Sequence, residues 1–400
     1  MKCLEQLLDS KPECSWVMWN VKGWLDGEKL RYMGCADIHI GALRNDMGED
    51  AAIERANQAF YEFLTEVDRY QPHIVFIIGD VYMHKMVTDG ERRCWNDFLA
   101  SLLKRCLVVL QPGNHDFLSR TMTTIDNLQI FTKDRLIDNL IMTSYDSQLI
   151  KFSPENAPDK SFTVLNCPCL TPLALNEVAQ ANVVLFHGNV RGAIMDNGFV
   201  MPEESDHRMT LPLKMADLFL LGDIHKRQWV SDNALYTAAM YQTKFSEDTD
   251  KGYIRGHFSL TEDGKFDWFV EHVDLVTPYQ LHTVLVNSDE EWPEDWDQYS
   301  QHYVRVIKDI NVKTKPQLPS FVIKEVFSGS FKSDMYNNEV DVDIQSSENG
   351  LHSVEFLENQ FGGAEDFLNH LQETSDFELT PEEKDLALAE LAEIRSTLGI

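Results

Sequence analysis

Five short apolar runs in the first 225 residues each end on side chains that carry oxygen or imidazole. Tyr32 to Ala36 leads into Asp37-Ile38-His39, and His73 to Ile78 into Gly79-Asp80. Leu107 to Leu110 precedes Gly113-Asn114-His115-Asp116, Val183 to Phe186 precedes His187-Gly188, and Leu218 to Leu221 precedes Gly222-Asp223-Ile224-His225. Apolar runs this short predict strands covered on both faces. Between them, Ala51 to Tyr70 sets Ile53, Ala56, Phe60, Phe63 and Val67 along one face of an amphipathic helix, and Arg92 to Lys104 reads as another helix. Strands alternating with helices predict an α/β layer structure, in which residues at the carboxyl ends of neighbouring strands converge on one crevice. Glycines at 79, 113 and 222 fit tight strand-to-loop turns.

The texture changes at both ends of this pattern. Trp16, Val17, Trp19, Val21 and Trp24 predict an added strand or hairpin on the sheet. Tyr279 to Val286, Tyr303 to Ile307 and Val322 to Phe327 predict a small β-rich module. After Val354 the chain reads as helical: Thr380-Pro381-Glu382-Glu383 is a capping box with proline at the first helical position, and Ala387, Leu391, Ile394 and Leu398 form an apolar stripe. The expected organisation is an N-terminal extension (1-30), a main domain (31-275), a capping domain (276-345) and a helical tail (346-400).

Composition narrows the class. The 400 residues are 43% hydrophobic and 25% charged, as in an ordinary globular protein. No apolar stretch approaches the roughly 20 residues that a membrane-spanning helix needs, and the charged start lacks a signal-peptide core, so a cytoplasmic protein with no membrane partner is expected. Seven cysteines, at 3, 14, 35, 94, 106, 167 and 169, show no zinc-ribbon spacing and read as reduced thiols, the Cys167-Pro168-Cys169 pair included. The net charge of −30 argues against a polyanionic partner on average. However, residues 289–400 carry 25 acidic and eight basic side chains, so −17 of the excess lies outside the ligand-bearing part. Lys85, Arg191, Lys226, Arg227 and Lys244 follow closely on the clusters and are candidates to meet phosphates.

Taken singly, most clusters have an ordinary explanation. An Asp-Xaa-His triplet can be a hydrogen-bonded pair, Gly-Asp is common in turns, and a lone His187 would usually be a satisfied core histidine. Gly-Asn-His-Asp directly after an apolar strand is more specific, since an Asn amide oxygen can bind metal while His115 projects towards substrate. All five in order at strand ends point to a two-metal hydrolase centre. Mixed carboxylate, amide and imidazole donors suit Mn2+ or Zn2+ in such a centre, whereas a structural zinc recruits thiolates.

The five clusters resemble the metallophosphoesterase (calcineurin-like) superfamily, which implies an αββα sandwich of two mixed sheets. Within it, Leu211-Pro212, Asp217 to Gly222 and above all Tyr241 to Asp248 closing with Lys251-Gly252 resemble the SbcD and meiotic-recombination-eleven type of DNA repair nuclease. In those nucleases a Ser-Phe-Glu-like stretch ending in Lys-Gly closes the domain, and Phe245-Ser246-Glu247 occupies that place here. The resemblance implies Asp37, His39 and His225 at a first metal, Asp80 as the bridging carboxylate, and Asn114, His187 and Asp223 at a second. Two divalent ions, taken to be Mn2+, are the implied cofactors. Asp223 departs from the pattern, because the nucleases have Gly-His-Xaa-His where this chain has Gly-Asp-Ile-His. His115 is then expected as the catalytic proton donor, with Asp116 orienting its ring, and His84 as a substrate-side or surface residue.

Three function classes follow. The first is a Mn2+-dependent DNA exonuclease and single-strand endonuclease, a homodimer within a heterotetramer with an SbcC-type SMC-like ATPase, nucleoid-associated and active in recombination or end processing. The second is a phosphatase or small-molecule phosphodiesterase on the same fold. Protein phosphatases, though, carry Gly-Asp-Xaa-Val-Asp-Arg-Gly and Gly-Asn-His-Glu, where this chain has Gly79-Asp80-Val81-Tyr82-Met83 and Gly113-Asn114-His115-Asp116. The third is a non-catalytic acidic scaffold, which should have lost ligand residues and has not.

Overall fold

A computed structural model describes residues 15–119, 122–126, 138–143, 145–169, 174–196, 198–201, 214–277, 279–314 and 316–327. Two mixed sheets form its body. One has the order β15 (Phe266–Asp274), β14 (Gly252–Leu260), β2 (Leu30–Cys35), β3 (Ile74–Ile78), β4 (Leu107–Gln111) and β7 (Leu140–Met142). The other runs β1 (Ser15–Val21), β8 (Gln148–Pro154), β9 (Phe162–Cys167), β10 (Val183–His187), β11 (Leu218–Gly222), β13 (Ala234–Tyr236) and β12 (Gln228–Ser231).

The unbroken apolar runs have a simple cause. In β3, Ile74, Phe76 and Ile78 face the layer between the sheets, where they meet Val164, Val183, Leu185, Leu218 and Leu220 of the opposite sheet. Val75 and Ile77 point the other way, into a core with Phe60 and Phe63 of α1 (Glu49–Tyr70) and Trp95 and Phe98 of α2 (Asp89–Leu103). Both faces of the strand are therefore dry, and each buried large side chain contributes about 1.5–3 kcal/mol. The second sheet is covered likewise, by Val178, Val190 and Ala193 against Val184, Phe186, Phe219 and Leu221.

Both expected helices begin earlier than their apolar pattern, because their first turns are polar. For α2 the start is fixed by Thr88, whose Oγ1 accepts from Glu91 N at 3.2 Å while Glu91 Oε2 accepts from Thr88 N at 2.9 Å. Such a cap stabilises a helix by about 1 kcal/mol. The N-terminal segment forms a single strand rather than a hairpin. It pairs in parallel with β8 from Ser15↔Gln148 to Val21↔Pro154, and Trp24 anchors it, buried against Phe162.

The module after residue 276 is a three-stranded sheet in the order β16 (Leu281–Val286), β17 (Tyr303–Lys308) and β18 (Val322–Phe327), around a small core of Val284, Val286, Val304 and Val306. The two-stranded β5 (Phe117–Ser119) and β6 (Met122–Thr123) follow the Gly113 to Asp116 cluster. The Leu211-Pro212 pair and the Thr380 helix with its apolar stripe lie outside the described residues. The five described cysteines, Cys35, Cys94, Cys106, Cys167 and Cys169, are buried. No helix among the described residues is long and apolar enough to cross a membrane.

Candidate metal centre

The ligand-bearing loops leave the carboxyl ends of β2, β3, β4, β10 and β11, and the two sheets meet there through a hydrogen bond. His187 ends β10 of one sheet, and its Nδ1 lies 2.7 Å from the carbonyl oxygen of Ile78 in β3 of the other. That acceptor requires a proton on Nδ1 and turns Nε2 towards the crevice. Around Nε2 lie Asn114 Oδ1 at 3.2 Å, Asp80 Oδ1 at 3.4 Å, Asp223 Oδ1 at 3.8 Å and Asp37 Oδ1 at 4.0 Å. Turning the Asn114 amide over would let its NH2 donate to Asp80 and His187, whereas the oxygen-inward orientation leaves five acceptors converging on one point.

A second convergence lies beside it. The Nε2 atoms of His39 and His225 are 3.0 Å apart, and His39 Nε2 is 3.4 Å from Asp80 Oδ2. His225 Nδ1 is 2.7 Å from Glu247 Oε1, so the proton belongs on Nδ1 and the Nε2 lone pair faces His39. Donor atoms of Asp37, His39 and His225 lie within 4.8 Å of one another, as do those of Asp37, Asp80 and His187, and those of His39, Asp80 and His115. Asp80 thus presents one oxygen to each convergence.

These positions are built with close tolerances. A Cβ on Gly113 would sit 2.0 Å from Asp80 Oδ1 and 2.6 Å from His187 Nε2, and one on Gly79 would sit 2.3 Å from His187 Nδ1. Only glycine lets the imidazole approach so near. Asp37, His39, Asp80 and Asp223 all adopt positive φ, at 52°, 49°, 54° and 99°. The strained backbone is held by cross-loop bonds from Asp37 N to Gly79 O (3.2 Å), His39 N to Asp80 O (2.9 Å) and Asp223 N to Asp37 Oδ1 (3.0 Å).

Electrostatics point the same way. Burial pushes the Asp37 carboxyl up to about 6, with His187 and His225 opposing and Asp80 and Asp223 reinforcing. Burial also works to raise Asp80, yet His187, His115 and His39 overcome it and hold Asp80 well below the usual carboxylate range. Against its own burial, His187 is driven well above the ordinary imidazole value by Asp80, Asp37 and Asp223. A field that pulls a proton onto a buried imidazole favours a divalent cation in the same place. The donor types, the convergent lone pairs and this field fit two adjacent divalent ions.

All nine residues expected in metal or catalytic roles lie in this region, but not all in the arrangement expected. Asp116 does not touch the His115 ring. Its carboxylate accepts from Gly113 N at 3.0 Å, Val81 N at 3.1 Å and Tyr82 N at 3.2 Å, stapling the loops after β3 and β4 together. His115 is oriented instead by the Met83 carbonyl, 3.0 Å from Nδ1, and its backbone N donates to Asp80 Oδ1 at 2.9 Å. Its ring stands edge-on to His39, with centroids 4.7 Å apart. Arg227, a candidate for phosphate contact, is engaged by Asp250 and Asp274. Lys244 is close enough for its charge to oppose protonation of both His39 and His225.

Sequence reasoning assigns no role to Glu247, Thr243 and Lys251, which the structure brings to the site. Glu247 accepts from His225 Nδ1 and from Thr243 N (3.0 Å) and Oγ1 (2.5 Å), while Lys251 Nζ lies 3.2 Å from Glu247 Oε2 and donates to His225 O at 2.9 Å. The available signal is the four-residue spacing of Glu247 and Lys251 in a segment that follows the last ligand cluster.

The calcineurin-like phosphoesterase family matches the chain over residues 30–276. No curated protein matches it. Among solved structures, the crystal structure of TT1561 of Thermus thermophilus is similar at 12% identity, covering 60% of this chain and 99% of the other with a TM-score of 0.34, too low to bear on function.

Proposed function

The chain belongs to the calcineurin-like phosphoesterase family, whose members are metal-dependent phosphoester hydrolases, and we propose that within it this protein is a Mn2+-dependent DNA nuclease of the SbcD type. One observation carries the narrower reading. The segment that resembles the closing stretch of those nucleases, Phe245-Ser246-Glu247 through Lys251-Gly252, bonds directly to His225 through Glu247 and Lys251. The segment that carries the likeness therefore reaches into the crevice.

Asp37, His39, Asp80 and His225 would hold one ion, and Asp80, Asn114, His187 and Asp223 the other. When bound, two such ions activate water and neutralise charge on a phosphodiester in line. The protein's own part is to fix that geometry and move a proton. His115 is suited to the proton step, because with Nδ1–H committed to Met83 O its Nε2 is left free, and an imidazolium there would pass its Nε2 proton to the departing 3'-oxygen and become the neutral Nδ1–H form. Lys244 supplies positive charge at the same crevice for a substrate phosphate. Asp223 in place of imidazole adds a negative charge to the second position and retains an oxygen donor suited to Mn2+.

The same reading includes an SMC-like ATPase as partner, with residues 346–400 as its docking segment. Incubating the purified full chain with Mn2+ and labelled linear duplex and single-stranded DNA, alongside bis-p-nitrophenyl phosphate and p-nitrophenyl phosphate, tests the nuclease reading. DNA and diester cleavage is expected. Turnover of the monoester alone would overturn it and favour a phosphatase. A chain truncated at Thr380 that still co-purifies with the ATPase would remove the docking role from the residues beyond it.

A further inference from the structure

His187 is buried and His225 is partly buried, with 11% of its side chain exposed, and each has its Nδ1 proton fixed by a partner, but the partners differ in kind. Behind His187 stands a neutral backbone carbonyl, Ile78 O at 2.7 Å. Behind His225 stands the Glu247 carboxylate, also at 2.7 Å. Glu247 is itself buried, at 6% exposure, and so is Lys251, at 3%. Two buried charges this close persist only if each is satisfied. Glu247 meets that condition through Thr243 N, Thr243 Oγ1 and His225 on one side and Lys251 on the other. Lys251 meets it through Glu247, Asp196 Oδ1 and Asp248 Oδ1 (both 3.7 Å) and His225 O. The loop that carries the carboxylate is pinned in turn, since Gln242 Nε2 donates to Glu247 O at 2.9 Å and buried Arg55 donates to Gln242 O at 2.6 Å.

We infer that Glu247, locked by Lys251 and Thr243, is a positioning residue that fixes the tautomer and ring direction of His225 and raises its donor strength, supporting one of the two metal positions and not the other. The inference rests on the two-ion reading of the site and does not depend on what the enzyme cleaves. An anionic partner behind a ligating imidazole strengthens the ligand, and removing such a partner typically weakens metal affinity by about 10–100-fold. A neutral carbonyl gives orientation without that increment. The position served by His39 and His225 should therefore depend on a side chain that the position served by His187 does not feel.

The decisive experiment is Mn2+ titration of the full chain, stripped of metal, by calorimetry and by the electron paramagnetic resonance of free Mn2+. Wild type is expected to bind two ions per chain. Glu247→Gln keeps the shape and loses the charge, and should weaken one ion by about 10–100-fold while leaving the other unchanged. Asn114→Ala should weaken the other ion, and the double variant both. Thr243→Val, which removes one hydrogen bond and keeps the bulk, should weaken the same ion as Glu247→Gln by a smaller factor, and it serves if Glu247→Gln does not fold. Unchanged binding of both ions in folded Glu247→Gln and Thr243→Val would overturn the inference. Equal loss of both would also overturn it, because a merely structural role predicts that result. Selective loss in a chain that cleaves no DNA would uphold the inference while the nuclease reading fails. A wild-type chain that binds no Mn2+ would overturn both.

Discussion

The His187 half and the His225 half of the crevice reach the same end by different means. The His187 half is assembled from strand ends and glycines: a carbonyl in β3, Gly79 and Gly113 leaving room, and Asn114 and Asp80 on the loops they begin. The His225 half is assembled from a loop more than 20 residues further on, whose carboxylate must be kept charged by a buried ammonium. A site anchored on backbone tolerates changes in surrounding side chains, because its hydrogen-bonding groups are the same whatever residue supplies them. One anchored on a buried ion pair does not, since removing either partner strands the other.

The strongest way to break the comparison is to remove what the halves share. Asp80→Asn should abolish both metal positions and reduce diester hydrolysis by more than about a thousandfold, on the scale of losing metal assistance altogether. One retained ion with measurable turnover would show that the halves are independent. Next in size is His115→Asn, which belongs to neither metal shell in this reading. A fall of about 10²–10⁴-fold in rate with two ions still bound is expected, and wild-type rates in Mn2+ would take His115 out of the mechanism.

Acidity should then act through Asp37, which faces both halves. Its folded-state value of about 6 exceeds the ordinary carboxylate value of 3.8, so metal must compete with a proton below pH 6. Metal must already displace a proton from His187 at higher pH, and affinity is expected to fall more steeply as pH drops through about 6, by up to about tenfold per unit for each proton displaced. The metal-free protein should respond in the opposite sense. A buried carboxylate with a raised folded-state value opposes folding while ionised, and that opposition fades as pH falls from about 6 towards the unfolded value. Calorimetric titration and thermal melts in chelator at pH 5 and 7.5 read both. Smallest is Asp223→His, which restores the imidazole of the resembling nucleases. It should change the affinity of the His187-side ion within about tenfold and leave the His225-side ion untouched, as a two-phase Mn2+ titration would show.

The same contrast explains what the sequence disclosed. Strands buried on both faces read as apolar runs, so β2, β3, β4, β10 and β11 and the residues that follow them are visible at once. The first turns of α1 and α2 are not, since both are polar and lie outside the hydrophobic period, with a Thr88–Glu91 cap on α2 and Glu49 and Asp50 opening α1. Asp116 is identifiable as a site residue but not in its role, because its partners are the backbone N–H groups of Gly113, Val81 and Tyr82, which no side-chain pattern reports. Arg227 stands next to a ligand cluster in sequence and is turned to Asp250 and Asp274 in space. Glu247 lies in the segment that resembles the nucleases, yet its bond to His225 depends on a chain reversal that local spacing does not encode.

Positive φ at four crevice residues carries one more consequence. Asp37, His39, Asp80 and Asp223 each hold a backbone conformation that glycine would adopt more readily. Selection for stability alone would drift these positions towards glycine, and every such step would remove a candidate ligand. The crevice is thus a place where fold and function are in direct opposition, and a library of this chain screened only for heat resistance should return its most stable members with the crevice dismantled.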